Sequence, residues 1–311
     1  MTNSTVSLDD KYSIESGRIF VTGVQALARI PMVQRQRDVL EGLNTAGFIS
    51  GYRGSPVGGF DQQLWRAKKF LEQNHIRFQP GLNEDLAASA VWGSQQTNLH
   101  EGGKYDGVFA IWYGKGPGVD RCGDVFKHGN MSGPAKHGGV LLIAGDDHAA
   151  KSSTVPHQSE YAFMDASIPV LNPAGVQDIV DYGILGLAMS RFSGCWIAFK
   201  TTAENMDSSA SIDVSPDRVK ISLPKFDMPE GGLSIRWPDD WIEQEHRLHQ
   251  YKLNAARAFA RQNKIDKTII NTQNPKLGVI TTGKSYLDVR QALEDLGINE
   301  AKADKIGLRL Y

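Results

Sequence analysis

The sequence has little cysteine, no long apolar run and no excess of charge of either sign. Its 311 residues include two cysteines, Cys122 and Cys195, which are too few for a disulfide scaffold and form no CxxC pair. We therefore expect a reducing compartment, and the chain by itself cannot ligate an iron–sulfur cluster. The longest apolar runs, such as residues 140–144, are far shorter than the roughly 20 residues that span a bilayer.

The charge balance excludes further classes of protein. The chain has 34 basic and 35 acidic residues and a net charge of −1, which gives no support to nucleic-acid binding. Residues 1–16 are polar and acidic, so they predict a polar leader rather than a secretory signal. Because 41% of the residues are hydrophobic and 22% are charged, we expect a soluble, cytoplasmic protein with a sizeable core.

Short apolar runs alternate with longer helical stretches along the first two thirds of the chain. Strands are predicted at residues 48–52, 107–113, 139–144, 168–171 and 195–199. Helices are predicted at residues 31–47, with Gly47 as the C-cap, and at residues 60–73, 84–98 and 176–190. This alternation predicts the α/β class, with an open, mostly parallel sheet and helices on both faces.

The composition changes after residue 206. Residues 207–232 are rich in Ser, Asp and Pro and predict a surface excursion, and residues 241–262 predict a basic amphipathic helix. A second α/β unit begins at the strand 277–280, and the sequence stops inside a later strand, so we expect this unit to be truncated. The predicted domains are therefore a leader (1–16), an α/β domain (17–225), a linker with a connecting helix (226–275) and a second unit (276–311).

One candidate site is the glycine-rich turn at residues 51–59, GYRGSPVGG, which follows a predicted strand. Open α/β sheets bind ligands beyond the carboxyl ends of their strands, and glycine lets the backbone approach a ligand closely. A tight turn that needs glycine for positive φ explains the same residues. The residues alone leave both interpretations open.

A second candidate is Glu84, between Asn83 and Asp85 at a predicted helix start. Acidic residues are common in a first helical turn because they complement the helix dipole, so a structural role is also open. No metal site is predicted, because His246 and His249 lack a third ligand. Residues 278–285, GVITTGKS, match a P-loop formally, but the first glycine lies at the strand start, so we interpret the match as coincidence.

Four segments in a fixed order resemble one protein family. They are FISGYRGSPVGG, GLNEDLAASAVWGSQQ, the stretch from VLLIAGDDHAAK to CWIAFKTTAEN, and LGVITTGKSYLDVRQALEDLGI. In this order they resemble indolepyruvate:ferredoxin oxidoreductase, one of the thiamine-diphosphate-dependent 2-oxoacid:ferredoxin oxidoreductases. Residues 17–205 resemble the pyrimidine-binding part of the alpha subunit. Residues 277–298 resemble the start of its transketolase-C-terminal-like domain.

The resemblance implies a role for Glu84 and for two loops. Glu84 would hydrogen-bond the N1′ nitrogen of the cofactor's aminopyrimidine ring and act as the catalytic carboxylate. Ser55 falls where relatives often carry a threonine close to the substrate carboxylate, and Arg53 replaces a proline of the shorter relatives. Residues 114–120, GKGPGVD, match a second, glycine-rich loop of the family near the active centre. The implied cofactor-binding residues are Glu84 together with Tyr52, Arg53, Gly54, Ser55, Pro56, Lys115 and Gly118.

The resemblance also implies partners outside this chain. The assembled enzyme would oxidise and decarboxylate an aryl 2-oxoacid such as indolepyruvate, with coenzyme A accepting the acyl group and ferredoxin the electrons. The sequence carries no GDG…NN motif, since Gly145-Asp146-Asp147 lacks the second glycine. We therefore expect a separate domain or subunit to hold Mg²⁺ and the cofactor's diphosphate, any iron–sulfur cluster to lie elsewhere, and a homo-oligomer. Two alternatives are a non-oxidative thiamine-diphosphate decarboxylase or synthase and a non-catalytic scaffold subunit.

Overall fold

The computed structural model describes residues 6–149 and 154–311. The strands are β1 (Arg18–Thr22), β2 (Ala46–Gly51), β3 (Ile76–Phe78), β4 (Val108–Lys115), β5 (Val140–Gly145), β6 (Val170–Leu171), β7 (Ile197–Thr201), β8 (Ser209–Asp213), β9 (Leu277–Val279) and β10 (Leu308–Leu310). The helices are α1 (Asp10–Ser13), α2 (Gly23–Leu40), α3 (Phe60–Arg66), α4 (Lys68–Gln73), α5 (Glu84–Ser94), α6 (Gly116–Arg121), α7 (Gly123–Ser132), α8 (Glu160–Asp165), α9 (Val176–Ser193), α10 (Ala203–Met206), α11 (Trp241–Arg247), α12 (Leu253–Gln262), α13 (Lys284–Asp295) and α14 (Glu300–Ile306), with a π-helical segment at Leu248–Lys252.

Six strands form one parallel sheet in the order β3-β2-β4-β5-β7-β6. The chain runs from β2 outward to β3 and then returns to β4 on the other side of β2. The strand order therefore reverses between β2 and β4. In open sheets of this kind, a crevice opens at such a reversal, outside the carboxyl ends of the two strands.

Both faces of this sheet are covered, and alternate residues of β4 show it. Phe109, Ile111 and Tyr113 join one hydrophobic cluster with residues of α2 and α9, whereas Ala110 and Trp112 join a second cluster with residues of α5 and α7. Continuous apolar strands are typical of parallel sheets that are buried on both faces. The predicted fold class, a parallel α/β sheet with helices on both faces, is confirmed.

The helix predicted at residues 31–47 has wrong bounds. It begins at Gly23, because Thr22 and Gln25 form a reciprocal capping box, and it ends at Leu40, close to Gly42, whose φ is +78°. Pro31 lies inside this helix, where packing of the helix against α9 outweighs the lost backbone hydrogen bond. Gly47 is not a C-cap. It lies in β2, where a Cβ would come within 2.6 Å of the Phe109 ring.

Several other predictions need correction. The helix predicted at residues 60–73 is divided at Ala67 into α3 and α4. The segment 207–232 is not all excursion, because β8 within it pairs antiparallel with β1. The polar leader contains α1, in which Tyr12 is buried. Residues 116–121, expected to be a glycine-rich loop, form α6.

The end of the chain packs as a smaller unit. α12 lies against α9, and Phe259 of α12 is buried beside Phe192, with ring centroids 5.9 Å apart. Beyond it, β9 and β10 pair in parallel and share a small core with Ile270 and Ala303. The domain boundaries given above stay a prediction. None of the helices in the described part of the chain has the length and apolar character that a membrane span requires.

Candidate active site at the carboxyl edge of the sheet

The crevice between β2 and β4 is closed at its base by backbone hydrogen bonds. Tyr52 N–H donates to the carbonyl oxygen of Tyr113 (3.0 Å), so the turn after β2 leaves the sheet beside the end of β4. Gly81 N–H donates to the carbonyl oxygen of Gly51 (2.9 Å), which ties the segment before α5 to the same strand end. The turn, the end of β4 and the first turn of α5 therefore meet at one edge of the sheet.

The turn after β2 packs closely against its neighbours. A Cβ on Gly54 would lie 2.7 Å from Cδ of Lys115, and a Cβ on Gly145 would lie 2.9 Å from Cδ of Pro56. Glycine at both positions is what allows these contacts. The structure thus brings Gly54 and Lys115 together, two of the residues selected from the sequence.

The remaining predicted turn residues lie at the mouth of the crevice. Tyr52 and Arg53 are exposed and Ser55 is half-buried. Arg53 Nε lies 3.8 Å from Oδ2 of Asp61, a long ion pair between an exposed guanidinium and a largely buried carboxylate. Such a pair contributes little to stability, so the Arg53 guanidinium is not committed to the fold.

Glu84 occupies the position expected for it, at the first residue of α5. The Asn83 side chain caps the helix by accepting from Leu86 N–H (2.9 Å), which confirms the predicted N-cap. The Trp112 indole Nε1–H donates to the carbonyl oxygen of Glu84 (3.1 Å). The residue is only 6% exposed, and a Cβ on Gly118 would lie 2.5 Å from its Cγ.

The carboxylate of Glu84 is sparsely satisfied. Arg121 Nη1 lies 3.6 Å from its Oε2, and within the described residues no hydrogen bond reaches either carboxylate oxygen. A nearly buried carboxylate usually accepts several hydrogen bonds, so one that accepts none from the described residues has acceptor capacity left. A carboxylate with open oxygens at a ligand-binding edge is a candidate to accept a hydrogen bond from a ligand.

Two titratable groups beside the crevice are held in their neutral forms. Burial, followed by the nearby Asp61 carboxylate, raises the pKa of Tyr113 far above its usual value. Burial, followed by the carboxylates of Asp85 and Glu84, raises the pKa of the Cys122 thiol well above its ordinary range. Cys122 is therefore a thiol rather than a thiolate, and it is not a candidate nucleophile.

Three residues near the crevice were missed by the sequence reasoning. Arg121 contacts Glu84 because it lies one turn after Gly118 on α6, a helix that was expected to be a loop. Trp112 lay inside an apolar strand with no polar signal of its own. His157 lies in a polar loop without any metal-ligand spacing, and only the folded structure brings it to α6.

The other polar features of the sequence are explained by packing. Asp146 accepts hydrogen bonds from the backbone and side chain of Ser159 and pairs with Lys200 at 3.5 Å. In the formal P-loop match, Gly283 (φ +57°) packs against Asn172, and the preceding residues form β9 instead of a loop around phosphates. No cluster of three or more possible metal ligands occurs in the residues that the structure covers, 6–149 and 154–311.

Comparison with solved structures defines the class of protein. The chain is similar in structure to a 2-oxoglutarate:ferredoxin oxidoreductase from Magnetococcus marinus, solved with 2-oxoglutarate, coenzyme A and succinyl-CoA bound. The TM-score is 0.63 and the sequences are 15% identical, over 94% of this chain and 53% of that chain. The fold is therefore that of the 2-oxoacid:ferredoxin oxidoreductases.

Sequence comparisons point to a particular branch. Residues 267–311 match the family model described as "Indolepyruvate oxidoreductase domain". The chain is 25% identical over 304 residues to indolepyruvate oxidoreductase subunit IorA of Pyrococcus abyssi, covering 93% of this chain and 41% of that protein. It is 20% identical over 290 residues to the same subunit of Methanothermobacter thermautotrophicus, covering 91% and 42%. The chain is thus a relative of IorA, which confirms the predicted resemblance, and it spans less than half of these relatives.

Proposed function

We propose that this chain supplies the pyrimidine-side half of a thiamine diphosphate site in a 2-oxoacid:ferredoxin oxidoreductase. The observation that carries the proposal is the Glu84 carboxylate. It is nearly buried at the strand-order reversal, yet no hydrogen bond from the described residues reaches it. Glu84 would accept a hydrogen bond from N1′ of the cofactor's aminopyrimidine ring.

The residues of the crevice fit this group. A buried carboxylate is the hydrogen-bond partner that a protonated ring nitrogen requires. Gly118 leaves the space that the Glu84 side chain occupies, so the carboxylate is supported from one side by α6. The cofactor, when bound, supplies an electron sink for the decarboxylation of a 2-oxoacid. The Mg²⁺ and the diphosphate would be held by a domain or subunit outside this chain.

The turn after β2 would serve the substrate side of the site. The guanidinium of Arg53 and the hydroxyl of Ser55 lie at the mouth of the crevice, where a 2-oxoacid carboxylate would need donors. Tyr52, Gly54 and Pro56 would form the wall beside the cofactor. The close approach of Gly54 to the Lys115 side chain at the end of β4 supports Lys115 as a further part of this wall.

The substrate and partners follow from the relatives. Indolepyruvate is proposed because the similar IorA subunits are named for it. Coenzyme A is proposed because the similar solved enzyme was determined with coenzyme A and succinyl-CoA bound. We also propose ferredoxin as the electron acceptor, a homo-oligomeric assembly and a cytoplasmic location.

The test is Glu84→Gln in the complete enzyme. The amide keeps the size of the side chain but not its charge, so deuterium exchange at C2 of the bound cofactor should fall by about 10²- to 10⁴-fold, the range for a lost acid–base group. Glu72→Gln is the matched control, because Glu72 lies on the surface of α4 and, among the residues that the structure describes, its carboxylate pairs only with Lys68 at 3.8 Å.

Wild-type exchange in the Glu84→Gln enzyme would overturn the proposed role. Absence of thiamine diphosphate binding in the wild-type assembly would indicate a scaffold subunit instead. Acyl-CoA formation without reduction of ferredoxin would favour a non-oxidative enzyme on the same fold.

A further inference from the structure

His157, in the segment before α8, contacts α6. Its imidazole Nε2 lies 2.9 Å from Oδ2 of Asp120 on α6, and its ring packs directly on Gly116, where any Cβ would overlap it. The His157 side chain is 13% exposed, so its ring is largely removed from water. Residues 116 and 120, one helical turn apart, therefore hold one side chain between them.

The segment that carries His157 is itself anchored to the sheet. Ser159 donates its backbone N–H to Oδ2 of Asp146 (3.0 Å) and its hydroxyl to the other carboxylate oxygen. Asp146 follows β5 directly, is 1% exposed and pairs with Lys200 of β7. Lys200 also binds Glu160, the first residue of α8. His157 is thus two residues away from a buried ion-pair cluster that is fixed by two central strands.

The same short helix contacts Glu84 through its other residues. Gly118 packs against Cγ of Glu84, and Arg121 pairs with Glu84 (3.6 Å) and with Asp85 (3.4 Å). α6 is only six residues long, and Val119 is the one large apolar side chain it buries. A helix of this length has little intrinsic stability and needs tertiary contacts to keep its place.

We propose that His157 is a positioning residue of the cofactor site. Through Gly116 and Asp120 it holds α6 in the place from which Gly118 and Arg121 contact the Glu84 carboxylate. This inference rests on the proposed function of Glu84. It extends that function to a residue that touches neither the carboxylate nor the predicted substrate turn.

The experiment compares His157→Leu with His157→Gln in the complete enzyme. Leucine fills the space but offers no polar atom to the Asp120 carboxylate, so thiamine diphosphate should bind about 10- to 100-fold more weakly, the loss expected when a polar contact with a charged group is removed. Glutamine carries an Nε2–H that can reach the same Asp120 oxygen, so it should restore affinity to within about threefold of wild type. The circular dichroism of the bound aminopyrimidine ring provides a second readout of Glu84 geometry.

His128→Leu is the matched control. His128 forms a similar pair with Asp124 on α7, at 3.6 Å, but this pair is exposed to solvent and does not involve α6. The His128→Leu enzyme should bind the cofactor with wild-type affinity. Gly116→Ala is the second test variant, because its methyl group would displace the His157 ring and should reproduce the His157→Leu loss.

The outcomes separate the two proposals. Wild-type cofactor affinity in His157→Leu, with exchange lost in Glu84→Gln, would overturn the positioning role and leave the proposed function intact. Wild-type exchange in Glu84→Gln would overturn the proposed function first. Equal losses in His157→Leu and His157→Gln would show a general structural role and would overturn the inference. If His157→Leu fails to fold, the other two variants still test the inference. Cofactor affinity that is kept in His157→Gln and lost in Gly116→Ala supports the positioning role of His157, and the reverse pattern overturns it.

Discussion

Buried carboxylates occur at both edges of the six-stranded sheet, and Asp38 and Glu84 differ in how many hydrogen bonds they accept. At the amino edge, Asp38 accepts two hydrogen bonds from Arg191 (2.6 and 2.8 Å), one from Gln34 (2.8 Å) and one from Thr45 (2.6 Å). At the carboxyl edge, Glu84 is also buried, but within the described part of the chain its carboxylate has only a 3.6 Å ion pair with Arg121.

This contrast distinguishes a carboxylate that stabilises the fold from a carboxylate that can bind a ligand. A buried charge is tolerated in a stable core when its oxygens are fully hydrogen-bonded, as those of Asp38 are. Local violations of that rule in natural proteins are concentrated at functional sites. The amino edge therefore holds the domain together, and the carboxyl edge leaves an acceptor for a ligand.

The largest expected effect is at the amino edge. Asp38→Ala would leave the guanidinium of Arg191 buried without its carboxylate, so unfolding free energy should fall by about 3–5 kcal/mol. Chemical denaturation measures this loss. Asp217→Ala, at an exposed pair with Lys220, is the control and should change stability by about 0.5 kcal/mol or less. A loss below about 1 kcal/mol in Asp38→Ala would remove the basis of the comparison.

The next effect concerns the carboxyl edge alone. Gly118→Ala places a methyl group 2.5 Å from Cγ of Glu84 and should displace the carboxylate, with a loss of about 100-fold in cofactor C2 exchange in the complete enzyme. The control is Gly123→Ala at the start of α7, where an added Cβ meets nothing within 4 Å. Equal activity of the two variants would mean that the contact with Gly118 does not position Glu84.

A third prediction compares two carboxylates at the same edge. Asp146→Asn weakens the bonds to Ser159 and Lys200, and we expect it to lower unfolding free energy by about 1–3 kcal/mol. Glu84→Gln should change it by about 0.5 kcal/mol or less, because no hydrogen bond from the described residues is lost. Thermal or chemical unfolding of both variants checks this order, and a reversed order would contradict the assignment of Glu84 to the site.

The smallest effect involves a buried cation. Lys252 donates to the carbonyl oxygens of Met131 (2.7 Å) and Asn130 (3.2 Å), and burial lowers its pKa to about 8. In the unfolded chain, Lys252 keeps its proton up to a higher pH, so folding releases a proton above pH 8. The free energy of unfolding should therefore rise as the pH increases through this value. Relative to Lys252→Met, the wild type should gain about 1 kcal/mol between pH 7 and pH 9.

Denaturation of both proteins at the two pH values provides the measurement. The difference between them cancels the titrations of groups that the Lys252 charge does not influence. A pH-independent difference would show that Lys252 keeps its ordinary protonation in the folded protein.

The sequence predicted most of the strands of the sheet and, within the candidate site, Glu84 and the turn after β2. Strand β5 and helix α5 were recognised because a fully apolar run and an Asn83 cap are local signals. The bounds of α2 were wrong, because a proline inside a helix and a glycine inside a strand depend on what packs against them. Which face of α5 is buried also depends on packing: Ala87 and Val91 are buried, whereas Leu86, Ala90 and Gly93 are exposed.

By itself, the sequence determined the α/β class, the family resemblance and the choice of Glu84, because periodicity, caps and segment order are written along the chain. Only the tertiary structure decided that no hydrogen bond from the described residues reaches the Glu84 carboxylate while Asp38 and Asp146 are satisfied. It also decided that His157 contacts α6, the helix that carries Arg121. The reason is physical. Whether a buried charge has a partner depends on residues far away in sequence, such as Arg191 for Asp38, and these are brought close only when the strands and helices pack.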